Sequence, residues 1–207
     1  MSNSNNEFMD EGIIELISEK EKELEARYEN ERIQKEIMEG FTTVNGEEIE
    51  FEEKSLLDGR VMIRIPKSFE VMSPEIASIK YPYEMKPSPI FTNETATRNI
   101  SFNYTDTDII EKDIGEFKDS MKLVMERVYP MATWLEDGVK EVSGRNIGYF
   151  EFISQALDAN LYNLMYFAAA DRKVLVCSVN CIEDEIRNWM PVAKGIMCSL
   201  KINDKNS

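Results

Sequence analysis

Histidine is absent from this 207-residue chain, and glycine is scarce, with nine residues. The lack of histidine removes the commonest general base and the commonest transition-metal ligand of proteins. The few glycines form no Walker-type phosphate loop, no G-x-S-x-G nucleophile elbow and no G-x-G-x-x-G dinucleotide motif. Nothing then selects one pair among the 39 acidic residues as catalytic. We therefore expect no catalytic residues and no enzymatic activity.

Basic residues are also few: 24 Lys and Arg stand against 39 Asp and Glu, which gives a net charge of −15. A nucleic-acid binder needs clustered cations for phosphate contacts, and an anionic membrane would repel this surface. We therefore expect neither nucleic acid nor membrane as a partner. No stretch is apolar for the ~20 residues of a membrane-spanning helix, and the start MSNSNNEFMDEG lacks the features of a secretory signal. The sequence predicts a cytoplasmic protein.

Three cysteines occur in the chain, at Cys177, Cys181 and Cys198. In an extended strand Cys177 and Cys181 would lie ~13 Å apart, at ~3.3 Å per residue, which is too far for a disulfide. One Cys-x₃-Cys pair without histidine is a weak version of a zinc site, and the acidic residues after Cys181 oppose a reactive thiolate. We interpret the cysteines as packing residues and expect no bound metal and no cofactor.

The N-terminal part of the chain has the composition of one long, solvated helix. Residues 7–39 contain twelve acids, five bases and no proline, and Gly40 follows as a natural helix stop. An Asn-Gly pair within residues 42–51 favours a tight hairpin turn. The predicted units are an acidic N-terminal helical arm at 1–40, a linker or short hairpin at 41–55, an α+β domain at 56–203 and a tail at 204–207.

The apolar residues of the arm do not form a single stripe. At ~100° per residue, Ile33 and Ile37 point nearly opposite to a second apolar group, so a straight helix cannot lay both groups on one flat surface. A bend near Asn30 would let both groups dock on the domain. The other interpretation is that the second group binds another protein or a second copy of the chain. We name this group the arm strip, and its members are Ile13, Ile17, Leu24 and Tyr28.

Apolar periodicity also assigns the elements that follow the arm. Val61, Ile63 and Ile65 alternate with longer or polar residues and predict a strand with one buried face. After Thr107, which we take as an N-cap, a helix is predicted. Its apolar stripe is Ile110, Ile114, Phe117, Met121, Val124 and Val128.

The last third of the sequence predicts successive antiparallel strands between Val139 and Val179, with a hairpin turn at Asp171-Arg172. The strand KVLVCSV is apolar on both faces, which indicates a central position in the sheet. A final helix is predicted to pack through Ile186, Trp189, Ala193, Ile196 and Leu200.

The order of these elements, together with several short segments, resembles the PsbP-like α/β domains, a group that includes the Ran-binding Mog proteins, the DcrB proteins and the Eag chaperones of bacterial secretion effectors. The segments are IRIPKSF, KVLVCSVNC, the helix with Trp189 and Pro191, and the closing CSLKI. The likeness spans roughly residues 56–203. It implies a twisted antiparallel sheet flanked by helices, and a binding role without chemistry of its own. The acidic arm is an addition to that domain.

From these observations we predict a non-enzymatic protein-binding module that acts as a chaperone, an adaptor or an assembly factor. Its predicted partner is another protein or a second copy of the chain. The partner is expected to bind through the N-terminal helix. The alternative is a small-molecule or lipid carrier with a pocket between sheet and helices, because the segments YFEF and LYNLMYF are rich in aromatic residues. A closed pocket would favour the carrier, and an open groove would favour the binding module.

Overall fold

The computed structural model describes the backbone of residues 4–81, 87–156 and 159–203, and the side chains of these segments from residue 17 onward. Ile13 and the predicted tail at 204–207 lie outside the described side chains. Four α-helices occur in these segments: α1 Ser4–Glu39, α2 Pro74–Lys80, α3 Ile114–Val128 and α4 Ile186–Cys198.

Eleven strands in the described segments form two sheets. One sheet has four strands in the order β1-β2-β3-β11, and the other has seven in the order β4-β5-β6-β10-β9-β8-β7, with antiparallel pairing throughout. The strands are β1 Phe41–Val44, β2 Glu47–Leu56, β3 Val61–Pro66, β4 Glu70–Val71, β5 Ile90–Thr92, β6 Arg98–Asp108, β7 Thr133–Val142, β8 Arg145–Gln155, β9 Asn160–Ala170, β10 Lys173–Ile182 and β11 Lys201–Ile202.

Three hairpins are closed by two-residue turns in which both residues have positive φ. The turns are Asn45-Gly46, Ser143-Gly144 and Asp171-Arg172, and they join β1 to β2, β7 to β8 and β9 to β10. Positive φ at both positions matches the right-handed twist of the flanking strands. The hairpin turn predicted at Asp171-Arg172 is confirmed, and Asn45-Gly46 also closes a hairpin. Because β2 runs to Leu56 and pairs with β3 from Phe51 onward, this hairpin is part of the body of the protein.

The seven-stranded sheet carries one hydrophobic core on each face. Along β10, Leu175 and Cys177 belong to the core under α4, whereas Val174 belongs to the core under α3 and Val176 packs against it. β10 lies between β6 and β9, so the prediction of a central strand is confirmed. Both faces of this strand are covered, and this explains why its sequence shows a continuous apolar run.

The observed helix α3 begins later than the helix predicted after Thr107. Thr107 is not an N-cap: β6 continues to Asp108, which pairs with Lys173 of β10 in the antiparallel ladder, and the backbone N–H of Ile109 donates to the carbonyl of Arg172 at 3.0 Å. A 3₁₀ turn then leads into α3 at Ile114.

The buried residues near the C-terminus of α3 also differ from those predicted. The predicted residues Val124 and Val128 are exposed, at 46% and 54%. Met125 and Tyr129 pack on the core in their place, because the buried row continues at four-residue spacing from Phe117 through Met121.

Trp189 anchors α4 to the sheet, as the apolar stripe predicts. Its side chain is 2% exposed, and its ring stacks on Phe69 with centroids 5.6 Å apart. The guanidinium of Arg98, at the start of β6, lies 5.0 Å from the centroid of the same ring. The indole therefore joins α4, the segment after β3 and the seven-stranded sheet.

We expect Trp189→Ala to lower the free energy of unfolding by ~3–5 kcal/mol, the range for truncation of a buried Trp. Urea denaturation followed by far-UV circular dichroism measures the change. Ile79→Ala is the control, because Ile79 is 80% exposed and its truncation should change stability by less than ~0.5 kcal/mol. An unchanged midpoint for Trp189→Ala would contradict the anchoring role.

Candidate protein-interaction site

Among the described side chains of α1, those near its C-terminal end dock on the body of the protein. Ile33 and Ile37 are buried, at 1% and 0% exposure, and α1 packs mainly against α4. From Glu19 to Glu29 every side chain is exposed. α1 therefore consists of a docked end and an arm that projects from the body.

A close approach between helices holds the docked end. An added Cβ at Gly195 of α4 would overlap Cδ1 of Ile37 and lie 3.6 Å from Cα of Gln34, so glycine is what allows this contact. A polar cluster fixes the same end to β1. Arg32 pairs with Glu29 and Glu36 at 2.7 Å, and the Thr42 hydroxyl donates to Glu36 at 2.7 Å. The position of α1 is thus set by its last two turns.

The arm strip lies on the face of α1 opposite the docked residues. Ile17, Leu24 and Tyr28 are 53%, 50% and 63% exposed, and α1 is helical without interruption through Asn30. These three side chains therefore do not pack on the core, in contrast to Ile33 and Ile37. Ile13 falls in α1 but outside the described side chains. Whether a partner binds this strip stays a prediction.

A cleft of about 430 Å³ lies between the arm and the part of the sheet that α4 leaves uncovered, and it opens to solvent. The amide of Gln34 on α1 accepts from Lys140 of β7 at 3.4 Å across this cleft. The remaining lining residues are Glu23, Ala26, Arg27, Asn30 and Glu31 of α1, Glu136 and Tyr149 of β7 and β8, and Lys194 and Met197 of α4.

A chain of charged and hydroxyl groups forms the base of this cleft. Lys194 Nζ lies 2.7 Å from Glu136 and 2.9 Å from Glu151, whose side chain is 1% exposed. The hydroxyl of Tyr162 donates to Glu151 at 2.6 Å, and that of Tyr149 donates to Glu136 at 2.7 Å. Glu151 thus brings a carboxylate into the core under α4, where Lys194 balances its charge.

The pKa values in this network shift in the directions that the contacts require. Burial opposes the charge of Lys194, but the two carboxylates outweigh it and raise its pKa above the usual value. Hydrogen bonds from Lys194 and Tyr149 lower the pKa of Glu136. Burial, together with Glu151, raises the pKa of the Tyr162 hydroxyl. The network therefore holds Lys194 and Glu136 charged and both tyrosines neutral at neutral pH.

The cysteines are placed as packing residues. Cys177 and Cys181 are fully buried on the α4 side of β10, and all three cysteines are free. Burial raises the pKa of both buried thiols, that of Cys181 to about 12, and the carboxylate of Glu185 adds to the effect at Cys181. The prediction that Cys177 is a buried packing residue is confirmed. The described residues contain no group of three or more His, Cys, Asp or Glu placed to hold a metal.

Known proteins resemble this chain in structure and not in sequence. No protein-family model and no curated protein matches it. The solution structure of cyanobacterial PsbP from Synechocystis sp. PCC 6803 has a TM-score of 0.56 at 9% identity, over 78% of this chain and 98% of that chain. This chain has the PsbP-like α/β fold. The predicted α+β fold class, with a long N-terminal helix and a twisted antiparallel sheet flanked by helices, is confirmed.

Two further solved structures are less similar to this chain. The Ran-binding protein Mog1p of Saccharomyces cerevisiae has a TM-score of 0.49 at 11% identity, over 75% of this chain and 97% of that chain. LpqN of Mycobacterium tuberculosis, described as involved in cell envelope biogenesis, has a TM-score of 0.47 at 12% identity, over 75% of this chain and 91% of that chain. In the described part of this PsbP-like chain, no helix combines the length and apolar character needed to cross a membrane.

Gly195→Ala should displace Cδ1 of the buried Ile37 and so loosen the docked end of α1, because the added methyl group overlaps that atom. Overpacking of this kind costs ~1–3 kcal/mol. Hydrogen exchange should show lost protection at residues 33–39. Gly115→Ala in α3 is the matched control, since its added Cβ meets only Val139 at 3.5 Å, an ordinary contact. Equal protection in both variants would contradict the close approach.

Lys194→Met should cost ~3–5 kcal/mol of stability, because it leaves the buried carboxylate of Glu151 without its cation. Adding Glu151→Gln should restore part of this loss, and chemical denaturation of the two single variants and the double variant measures the coupling. Lys201→Met, which breaks an exposed pair with Glu53, should cost at most ~1 kcal/mol. Additive losses from Lys194→Met and Glu151→Gln would show that the pair does not act as a unit.

Proposed function

We propose that this PsbP-like protein is a cytoplasmic, non-enzymatic protein-binding module, a chaperone or an adaptor, that binds its partner through the arm strip. The observation that carries the proposal is the exposure of Ile17, Leu24 and Tyr28 on a helix whose described contacts with the core, through Ile33 and Ile37, lie near its C-terminal end.

The exposed strip is unfavourable for an isolated chain. Apolar surface in water costs ~25 cal/mol per Å², and a helix without tertiary contacts is only marginally stable. The pair Arg27–Glu31, at 3.0 Å, supports the arm, but an exposed i,i+4 pair contributes only ~0.3–0.5 kcal/mol. A partner that covers Ile17 and Leu24 would remove this surface from water and stabilise the arm at once.

The charge of the arm indicates what such a partner looks like. Residues 7–39 contain twelve acids against five bases, so the strip is flanked by negative charge. A partner surface with an apolar centre and basic margins complements it. A second copy of the chain would bring the same charge, which disfavours a parallel pairing of two arms.

The carrier remains the alternative function. The aromatic residues of YFEF and LYNLMYF that suggested it fill the two cores, and Phe150, Phe152, Tyr162, Tyr166 and Phe167 are at most 2% exposed. Tyr149 lines the open cleft beneath the arm. This use of the aromatic residues as packing favours the binding module.

The double variant Ile17→Ser/Leu24→Ser should abolish the interaction while the body stays folded, because neither residue contacts the core. Multi-angle light scattering detects self-association. A photo-crosslinking amino acid at position 28, with the same group at exposed position 79 as reference, identifies a different partner and its contact.

The matched control for this test is Leu123→Ser/Val128→Ser, which makes the same chemical change at two exposed positions of α3. This control should retain assembly or crosslinking. The proposal is wrong if both double variants retain the interaction, or if the arm variant unfolds the body at a lower urea concentration without any change in assembly.

A further inference from the structure

β7 forms one edge of the seven-stranded sheet, and in the described residues no strand lies on its outer side. It extends over ten residues, and most of its side chains are exposed. β4, at the opposite edge, has two residues, so β7 is the edge that is long enough to pair with a further strand. The outer side of such a strand presents backbone N–H and C=O groups that another chain can bind.

The turn after β7 determines which backbone groups point away from β8. The two-residue turn at 143–144 places Val142 opposite Arg145, and in such a hairpin these two residues exchange both backbone hydrogen bonds. Bonded and non-bonded pairs then alternate along the ladder, so Asp137 and Val139 direct their N–H and C=O groups outward. Within the described part of the chain, no backbone group bonds to them.

Gly138 lies between these two residues, in the middle of the edge strand. Its φ is not positive, and the atoms nearest to an added Cβ belong to Tyr149, at ordinary contact distances of 3.5 Å or more. Packing within the chain therefore does not require glycine at this position. A glycine inside a strand weakens the strand and often marks a point where another backbone approaches closely.

The charges beside Gly138 match those of a second β7 that runs in the opposite direction. When Gly138 lies opposite Gly138 of the copy, Lys140 lies opposite Glu136, and two-fold symmetry repeats this pair on the other side of the axis. The same register places Val139 opposite Asp137. The outward groups of these residues can then form about four backbone hydrogen bonds across the interface.

Both members of the proposed ion pair are accessible to a second copy. The amine of Lys140 donates to the amide of Gln34 at 3.4 Å, and it makes no ion pair with any described residue. The side chain of Glu136 is 56% exposed beside Lys194. A bulge after Trp134 and the charged side chains of β7 oppose pairing with an unrelated strand, so a partner at this edge must have matching charges.

We propose that β7 pairs antiparallel with β7 of a second copy of this chain, with the two-fold axis at Gly138. The two seven-stranded sheets then form one continuous sheet. Lys140 of each copy pairs with Glu136 of the other, and Val139 exchanges backbone hydrogen bonds with Asp137. This interface does not depend on the arm strip, so either surface can be lost while the other still binds.

Sedimentation velocity of the full chain over a range of concentrations tests the proposal. At physiological ionic strength the screening length is ~8 Å, which limits the repulsion between two copies of net charge −15. We expect a dimer that dissociates on dilution. Val139→Pro removes an N–H that points away from β8, so it should weaken the dimer at least tenfold. Val139→Thr keeps the N–H and the β-branched shape, and should change the dissociation constant less than threefold.

A charge variant tests the ion pair across the axis. Lys140→Glu places two carboxylates opposite each other at both ends of the interface, and should weaken the dimer at least tenfold. Arg187→Glu makes the same change of charge at an exposed position of α4, and should change the dissociation constant less than threefold.

A cysteine at the axis tests the register. In a non-bonded antiparallel pair the two Cα atoms lie ~4.5 Å apart, within the range that a disulfide spans. Gly138→Cys should therefore give a disulfide-linked dimer under mild oxidation, seen on a non-reducing gel. Leu123→Cys, at a position of α3 that is 57% exposed, should stay monomeric on the same gel, as should the unmodified chain.

The arm variant Ile17→Ser/Leu24→Ser separates this interface from the proposed arm interface. It should retain the β7 dimer, and the same arm substitutions in a Val139→Pro background report on the arm alone. A dimer that is lost in the arm variant and retained in Lys140→Glu would overturn the β7 proposal and support the arm.

Two other results would also overturn the β7 proposal. One is a chain that stays monomeric at every concentration. The other is an Arg187→Glu variant that weakens the dimer as much as Lys140→Glu does, because association would then respond only to net charge. Should Val139→Pro fail to fold, Lys140→Glu and Gly138→Cys decide the question.

Discussion

β10 is covered on both faces, and the rest of the structure depends on this burial. α4 packs on one face through Trp189, and α3 packs on the other, so that a single strand joins two cores. α4 then provides the surface on which Ile37 docks, and Gly195 lets the two helices meet. The arm and the cleft beneath it both lie beside α4. Both are therefore positioned by the packing of one helix on one strand.

Much of this architecture is predictable from apolar periodicity. The alternation in β3, the two-faced run of β10, the Asp171-Arg172 turn and the buried Trp189 each depend on a local pattern that tertiary contacts reinforce. The N-terminus of α3 was mispredicted because β6 continues through Thr107 and pairs with β10 as far as Asp108, opposite Lys173. Val124 and Val128 were mispredicted because the buried row drifts around a helix at four-residue spacing. The first difference comes from a strand that lies far away in the sequence, and the second comes from the geometry of the helix itself.

The candidate sites were less accessible to sequence reasoning. The arm strip was found because Ile17 and Leu24 share a helical face, a local property. The network at the base of the cleft joins Glu136 of β7, Glu151 of β8 and Lys194 of α4. The spacing of these residues in the sequence does not predict that they meet. One signal was available: Glu151 interrupts an apolar strand between two phenylalanines, and a charge at such a position needs a buried partner. The position of β7 at the edge of its sheet could be found only from the structure.

α1 docks through residues near its C-terminal end, so a tilt at that end displaces the arm strip by an amount that grows with distance along the helix. Leu24 lies thirteen residues from the docked Ile37, about 20 Å along the helix at ~1.5 Å per residue. A tilt of ~10° at the docked turns would therefore carry Leu24 by ~3–4 Å, and the N-terminal residues farther still. Small adjustments at the contact between Ile37 and Gly195 become large displacements of the strip. The position of the arm strip relative to the body is therefore set by the packing at the docked turns of α1.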